Sequence, residues 1–222
     1  KSNKNLAMKI EVEKDFELIQ PFGPSVLRVK IPEEIVNKLN LYIDEIILDN
    51  NKASGLNHGQ NLVGDVTQEF KLEKTFMEKS GWGEFLAKSV HKWIQISIQQ
   101  NIKKFNIIDS WVVRQFKNEY NPIHWHTGHI SGAGFLKVPS TLGKHFQDEK
   151  GENKYLGGQL TLVHGSRQFM SNSKLQIIPQ VGDFYFFPNY LMHTVYPFKG
   201  TDEERRSISF NAFIDEDIVY DM

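Results

Sequence analysis

Three histidines constrain this chain more than any other feature. His124 and His126 stand two residues apart, and His193 follows 67 residues beyond His126. In a strand, side chains at i and i+2 leave the same face. Two imidazoles so placed can aim at one metal ion. A third, arriving from so far along the chain, has to come from another strand. A local finger does not supply ligands at that range, whereas a barrel of strands does. Parity also puts Arg205, Ser207, Ser209 and Asn211 on one face of a last strand. The pattern therefore reads as a metal site of His124, His126 and His193 with a carboxylate-binding strand behind it. Three ligands clustered on one side of an iron leave open positions for substrate and oxygen. His129 competes with His126 for the second place. A continuous strand would point it away, and a turn at Thr127-Gly128 would undo that argument. His164 reads as a strand-end residue, and His58, His91 and His145 lie where no partners converge. Trp125, between the two ligands, faces outward, either to pack or to line a substrate's approach.

The surrounding pattern supplies the strands. From Ile107 the chain runs in short β-branched and aromatic segments separated by turns. They are 107–116, 124–126, 130–138, 159–164, 174–178, 184–187, 191–196 and 203–214. Eight such segments predict a double-sheet jelly roll. Residues 141–155 form a charged excursion. Before Ile107 the periodicity is mixed. Phe16–Ile19 and Val26–Val29 read as strands. Pro32-Glu33-Glu34 opens a helix running to about Leu48, with acidic residues at the positive end of its dipole. Asn50–Gly64 reads as a loop, Phe70–Met77 as a short helix, and Gly81 to about Lys103 as a longer helix. The expectation is α+β and mainly β: a double-stranded β-helix (jelly roll, cupin-like) with N-terminal supporting helices. It is one domain over 1–222. Residues 1–105 pack on the core as strands and helices, and 106–215 form the catalytic jelly roll.

Composition agrees. The 222 residues are 40% hydrophobic and include 16 Phe, 7 Tyr and 4 Trp, which fits a packed β-rich core and argues against disorder. A net charge of -1 provides no global basic footprint for nucleic acid. There is no Cys, which removes disulfides and thiolate ligands and suits a reducing compartment. No apolar run approaches the ~20 residues that span a bilayer, and Lys1–Lys4 lead into no signal-like segment. The expected location is cytoplasmic, with no membrane partner.

These residues resemble the iron(II)/2-oxoglutarate-dependent oxygenases, and most closely the "putative 2OG-Fe(II) oxygenase" proteins of bacteria and phages. The likeness lies in His124-Trp125-His126 followed by Ser131-Gly132-Ala133-Gly134-Phe135-Leu136, in Phe187-Pro188, in His193, and in Arg205-Arg206-Ser207-Ile208-Ser209-Phe210-Asn211. It covers roughly residues 107–214. The resemblance implies Fe(II) on His124, His126 and His193, and 2-oxoglutarate chelating that iron. It implies the distal carboxylate of 2-oxoglutarate paired to Arg205 by motif position, with a hydroxyl from Ser207. A guanidinium offers the planar two-donor grip that lysine lacks. Arg206 is the rival, facing the opposite side from Ser207. Gln115 and Asn211 are further cosubstrate contacts by parity and amide chemistry, with structural hydrogen bonding as their alternative role.

The chain departs from the family pattern in two ways. His126 stands where most relatives carry Asp or Glu, which leaves more positive charge on the metal. Phe135 stands where some carry a Tyr, and has no donor. The implied activity is a hydroxylase that consumes O2 and 2-oxoglutarate, forms succinate and CO2, and acts on an unidentified peptide or small molecule. The alternatives are a cupin-like three-His metalloenzyme without 2-oxoglutarate and a non-catalytic jelly-roll binding module.

Overall fold

The computed structural model describes residues 16–19, 23–59, 64–66, 68–143, 157–169 and 171–220. Most of the charged excursion expected at 141–155 lies outside them. Alternation and turns produce two antiparallel sheets. The larger holds β1 (Phe16–Ile19), β2 (Val26–Lys30), β3 (Gln68–Lys71), β4 (Phe105–Gln115), β6 (Ile130–Lys137), β9 (Asp183–Pro188) and β11 (Arg205–Ile214). Its strand order is β1-β2-β9-β6-β11-β4-β3. The smaller holds β5 (Asn121–His124), β7 (Leu160–Val163), β8 (Lys174–Ile177) and β10 (Met192–Val195), in the order β5-β10-β7-β8. This is the expected mainly β, double-stranded β-helix architecture.

Both faces of the larger sheet are covered. One face carries α1 (Glu33–Leu48) and α4 (Trp82–Ile98), whose stripes Val36, Leu39, Ile43, Ile46 and Leu86, Val90, Trp93 bury against the strands. From β11, Ile208, Phe210 and Ala212 point to that side. Trp82 Nε1 donates to Ser110 Oγ at 3.0 Å, and Ser110 Oγ donates to Ser209 O at 2.8 Å, which fastens α4 to the sheet. The other face meets the smaller sheet through Phe135, Tyr185, Phe187, Leu160 and Leu162. Strand β9 shows why its run Phe184-Tyr185-Phe186-Phe187 is apolar throughout: alternate rings enter the two cores.

The structure differs from the expectation at several elements. Asn50–Leu56 is a helix, α2, where a loop was expected. Asp49 caps it by accepting from the N–H groups of Asn51 and Lys52, and no residue of α2 is buried, so it lacks an apolar stripe. The helix expected at Phe70–Met77 is replaced by β3 and then α3 (Lys74–Ser80). Pairing with β4 decides this, since Phe70 lies opposite Val112. Helix α4 stops at Ile98, where Gln99 turns left-handed. A last helix, α5 (Glu216–Tyr220), follows β11. Gly81 joins α3 to α4 at φ +84, which favours glycine.

Gly134 is required for a different reason. A Cβ there would stand 2.7 Å from the backbone oxygen of Asp183 on the neighbouring strand, which cannot step aside. Gly134→Ala is expected to destabilise the fold by about 1–3 kcal/mol. A lower urea midpoint with an unchanged slope would show it, and an unchanged midpoint would refute it.

Candidate metal centre

Strands β5 and β10 pair so that His193 lies directly opposite His124. Each ring is held by a carbonyl two residues back. His124 Nδ1 lies 2.7 Å from Pro122 O, and His193 Nδ1 lies 3.0 Å from Leu191 O. A carbonyl can only accept, so each Nδ1 carries the proton and each Nε2 keeps a free lone pair. Strand β5 ends at His124, so His126 lies just beyond the strand it was expected to share. Asn189 fixes it instead. The His126 N–H donates to Asn189 O at 3.0 Å, and the Asn189 amide donates to His126 O at 3.1 Å. The His126 ring packs 5.5 Å, centroid to centroid, from Trp111.

The three imidazoles converge, with one ring nitrogen of each lying within 4.8 Å of the others. His126 Nε2 and His193 Nε2 are 3.0 Å apart. Two nitrogens each ~2.1 Å from one cation, at right angles, stand about 3.0 Å apart. The residues present therefore fit a divalent first-row metal ion with imidazole ligands. His129 is elsewhere. The chain turns at Gly128 (φ +93), and His129 Nδ1 accepts from the Ile214 N–H at 3.2 Å, its ring against Phe213 and Tyr220.

Electrostatics keep the cluster neutral. Burial pushes His126 down to about 3, aided by repulsion from His124. Burial, then His124 and His126, hold His193 well below the usual imidazole range, and burial also lowers His124. Neutral rings are the form that binds metal.

The cluster opens on a cavity of about 490 Å³, lined from β11 by Arg205, Ser207, Ser209 and Asn211. Arg205 is 1% exposed. Its Nε donates to Gly158 O at 2.9 Å, and its Nη1 to Gln115 Oε1 at 3.1 Å and Ser207 Oγ at 3.3 Å. Its guanidinium lies 5.2 Å from the centre of the Phe135 ring. Burial lowers it to about 10. No acidic side chain pairs with it among the described residues. Arg206, next in sequence, points into the helix layer and is paired: Asp44 at 2.7 Å, Glu204 at 2.6 Å, and Asn40. Gln115 does not line the cavity. Its amide is used by Glu119 O and Arg205, so it orients the guanidinium. Asn211 does line it, and accepts from Ser131 Oγ at 2.7 Å.

Gly158, the acceptor for Arg205 Nε, does not line the cavity and was not read from the sequence as a site residue. Several lining residues were not read from the sequence either. His58, expected to be without partners, lines the cavity with its ring 5.9 Å from that of Trp111. Glu69 and Lys71 of β3, and Asp109 and Trp111 of β4, line it too. Trp125 is 65% exposed at the cavity wall. The alternation along β4 was the available signal for Asp109 and Trp111. The four-residue β3 offered almost none.

A family model described as "Putative 2OG-Fe(II) oxygenase" matches residues 109–211. No curated protein matches the chain. Among solved structures, a prolyl-4-hydroxylase from Pseudomonas putida superposes with a TM-score of 0.55 at 13% identity, over 84% of this chain and 91% of that one. HygX from Streptomyces hygroscopicus, solved with nickel and 2-oxoglutarate bound, gives 0.52 at 9% identity over 83% and 80%. At these identities the likeness is one of fold.

Proposed function

We propose that this chain, whose residues 109–211 match the family model described as "Putative 2OG-Fe(II) oxygenase", is an Fe(II)- and 2-oxoglutarate-dependent dioxygenase that hydroxylates a substrate C–H bond. Iron with 2-oxoglutarate and O2 supplies the oxidising chemistry: the keto acid becomes succinate and CO2, and one oxygen atom passes into the C–H bond. The chain binds and orients. His124, His126 and His193 hold the iron, two of them with their tautomer set by backbone carbonyls. Arg205 takes the distal carboxylate of 2-oxoglutarate, Ser207 adds a hydroxyl beside it, and Gln115 and Gly158 hold the guanidinium in place. Phe135 and Leu160 wall the cavity against water.

The observation that carries this reading is the uncompensated guanidinium. A buried charge is expensive unless it is paired, and among the described residues Arg205 has only neutral partners. An anion entering the cavity supplies what is missing. A three-His metalloenzyme without the keto acid would leave Arg205 unpaired throughout, and so would a binding module for neutral ligands. Two solved structures of similar fold, one a prolyl-4-hydroxylase and one a protein carrying nickel and 2-oxoglutarate, agree in kind. The test is anaerobic addition of Fe(II) and 2-oxoglutarate to the purified chain. A weak visible metal-to-ligand band is expected, and iron uptake with no band would defeat the proposal.

A further inference from the structure

One carboxylate in the cavity has no hydrogen-bond or ion-pair partner among the described residues. Glu69 stands on β3 opposite Val113 of β4, which is itself opposite Ser207 of β11. That row sets Glu69 on the cavity face, two strands from Ser207. Glu69 is 2% exposed, it lines the cavity, and its Oε2 has no hydrogen-bond partner among the described residues. The cations around it are engaged. Lys71, next on the same face, gives its ammonium to Asp109, and Arg205 is turned to Gly158, Gln115 and Ser207. Burial raises the Glu69 carboxyl to about 7.

We propose that Glu69 determines specificity by binding a cationic nitrogen of the substrate, an amine or a guanidinium, at the β3 side of the cavity. The reaction at that substrate rests on the oxygenase reading; the binding does not. A neutral donor would satisfy Oε2 and leave a net charge buried, whereas a cationic donor satisfies the oxygen and cancels the charge. Charge-assisted hydrogen bonds are also roughly twice as strong as neutral ones. Val113 and Trp111 lie on the same face beside Glu69, and Trp111 packs against His126. A substrate reaching from Glu69 toward the histidines therefore crosses apolar ground, and carries an apolar stretch next to its cation.

The experiment uses n-butylammonium and n-butylguanidinium, with n-butanol and butyramide as neutral counterparts, titrated into the full chain by saturation-transfer NMR. The wild type is expected to bind the cations at least tenfold more tightly than the neutral compounds. Glu69→Gln is expected to lose that preference and to melt no lower than the wild type at pH 8, where Gln removes a buried charge. Equal binding of cations by wild type and E69Q, or no preference for cations in the wild type, would overturn the proposal. So would a clearly lower melting temperature for E69Q, since the carboxylate would then be structural. The visible band with Fe(II) and 2-oxoglutarate is recorded for both proteins. A missing band in the wild type counts against the oxygenase reading alone, and a retained band in E69Q shows that any lost cation binding is local.

Discussion

Arg205→Leu is expected to abolish the visible band with Fe(II) and 2-oxoglutarate while leaving iron binding intact. Removing one partner from a buried charge pair weakens binding by about 2–5 kcal/mol. The affinity for 2-oxoglutarate should therefore fall by roughly 30-fold to several thousandfold. Arg205→Lys should recover little, because an ammonium cannot reproduce the paired donors or keep the contacts to Gly158 and Gln115. The cosubstrate-free fold should respond in the opposite sense. In the empty cavity Arg205 is a buried charge with neutral partners, so leucine should leave the melting temperature unchanged or raise it.

Arg206 provides the contrast one residue away. It is fully buried and bonded to Asp44 and Glu204, and Glu204 also holds Arg114 at 2.8 Å. Arg206→Leu leaves Glu204 with Arg114 alone and Asp44 with Lys137 alone, and is expected to destabilise by about 1–3 kcal/mol. The two leucine variants, measured by urea unfolding and by 2-oxoglutarate titration, should therefore separate cleanly. If Arg205→Leu kept the band and Arg206→Leu lost it without unfolding, the cosubstrate anchor would have been placed on the wrong face of β11.

The parity of β11 was legible because the strand is ten residues long and alternates cleanly. Ser207, Ser209 and Asn211 face the cavity with Arg205, while Arg206, Ile208 and Phe210 face the helices. The histidine trio was legible only in part. Parity places His124, but His126 lies past the strand end and is set by Asn189, 63 residues away, which no local pattern announces. The cavity's far wall was not legible. Strand β3 reaches its place through long-range pairing with β4, and two helices intervene in sequence. Its four residues are too few for alternation to outweigh a helical reading. Glu69 was hidden with it. Helix α2 was missed because polar residues held by a single aspartate cap leave no amphipathic period to read.

His193→Ala is expected to remove metal binding at micromolar metal and, with it, all turnover. His193 is 5% exposed and completes a triangle with the other two rings, 4.3 Å from His124 and 4.8 Å from His126, centroid to centroid. Losing a group that merely orients a ligand weakens metal binding by about 10–100-fold; losing a ligand should exceed that. His129→Ala, whose ring contacts Phe213 and Tyr220 instead, should keep metal affinity unchanged. Metal content after dialysis, measured by elemental analysis, distinguishes the variants. Proton competition is a further test of the same cluster. A flexible imidazole with a pKa near 6.5 is mostly protonated by pH 5.5, and would release its metal through that range. Here His126 is lowered to about 3 and His193 well below its ordinary range, so the rings stay neutral as the pH falls past 6.5. Because both Nδ1 partners are backbone carbonyls, no side-chain titration loosens the rings on the way down. Bound metal should accordingly hold steady from pH 7.5 to 5.5. Half-release near pH 6.5 would mean that the histidines are not buried and converged as the fold requires.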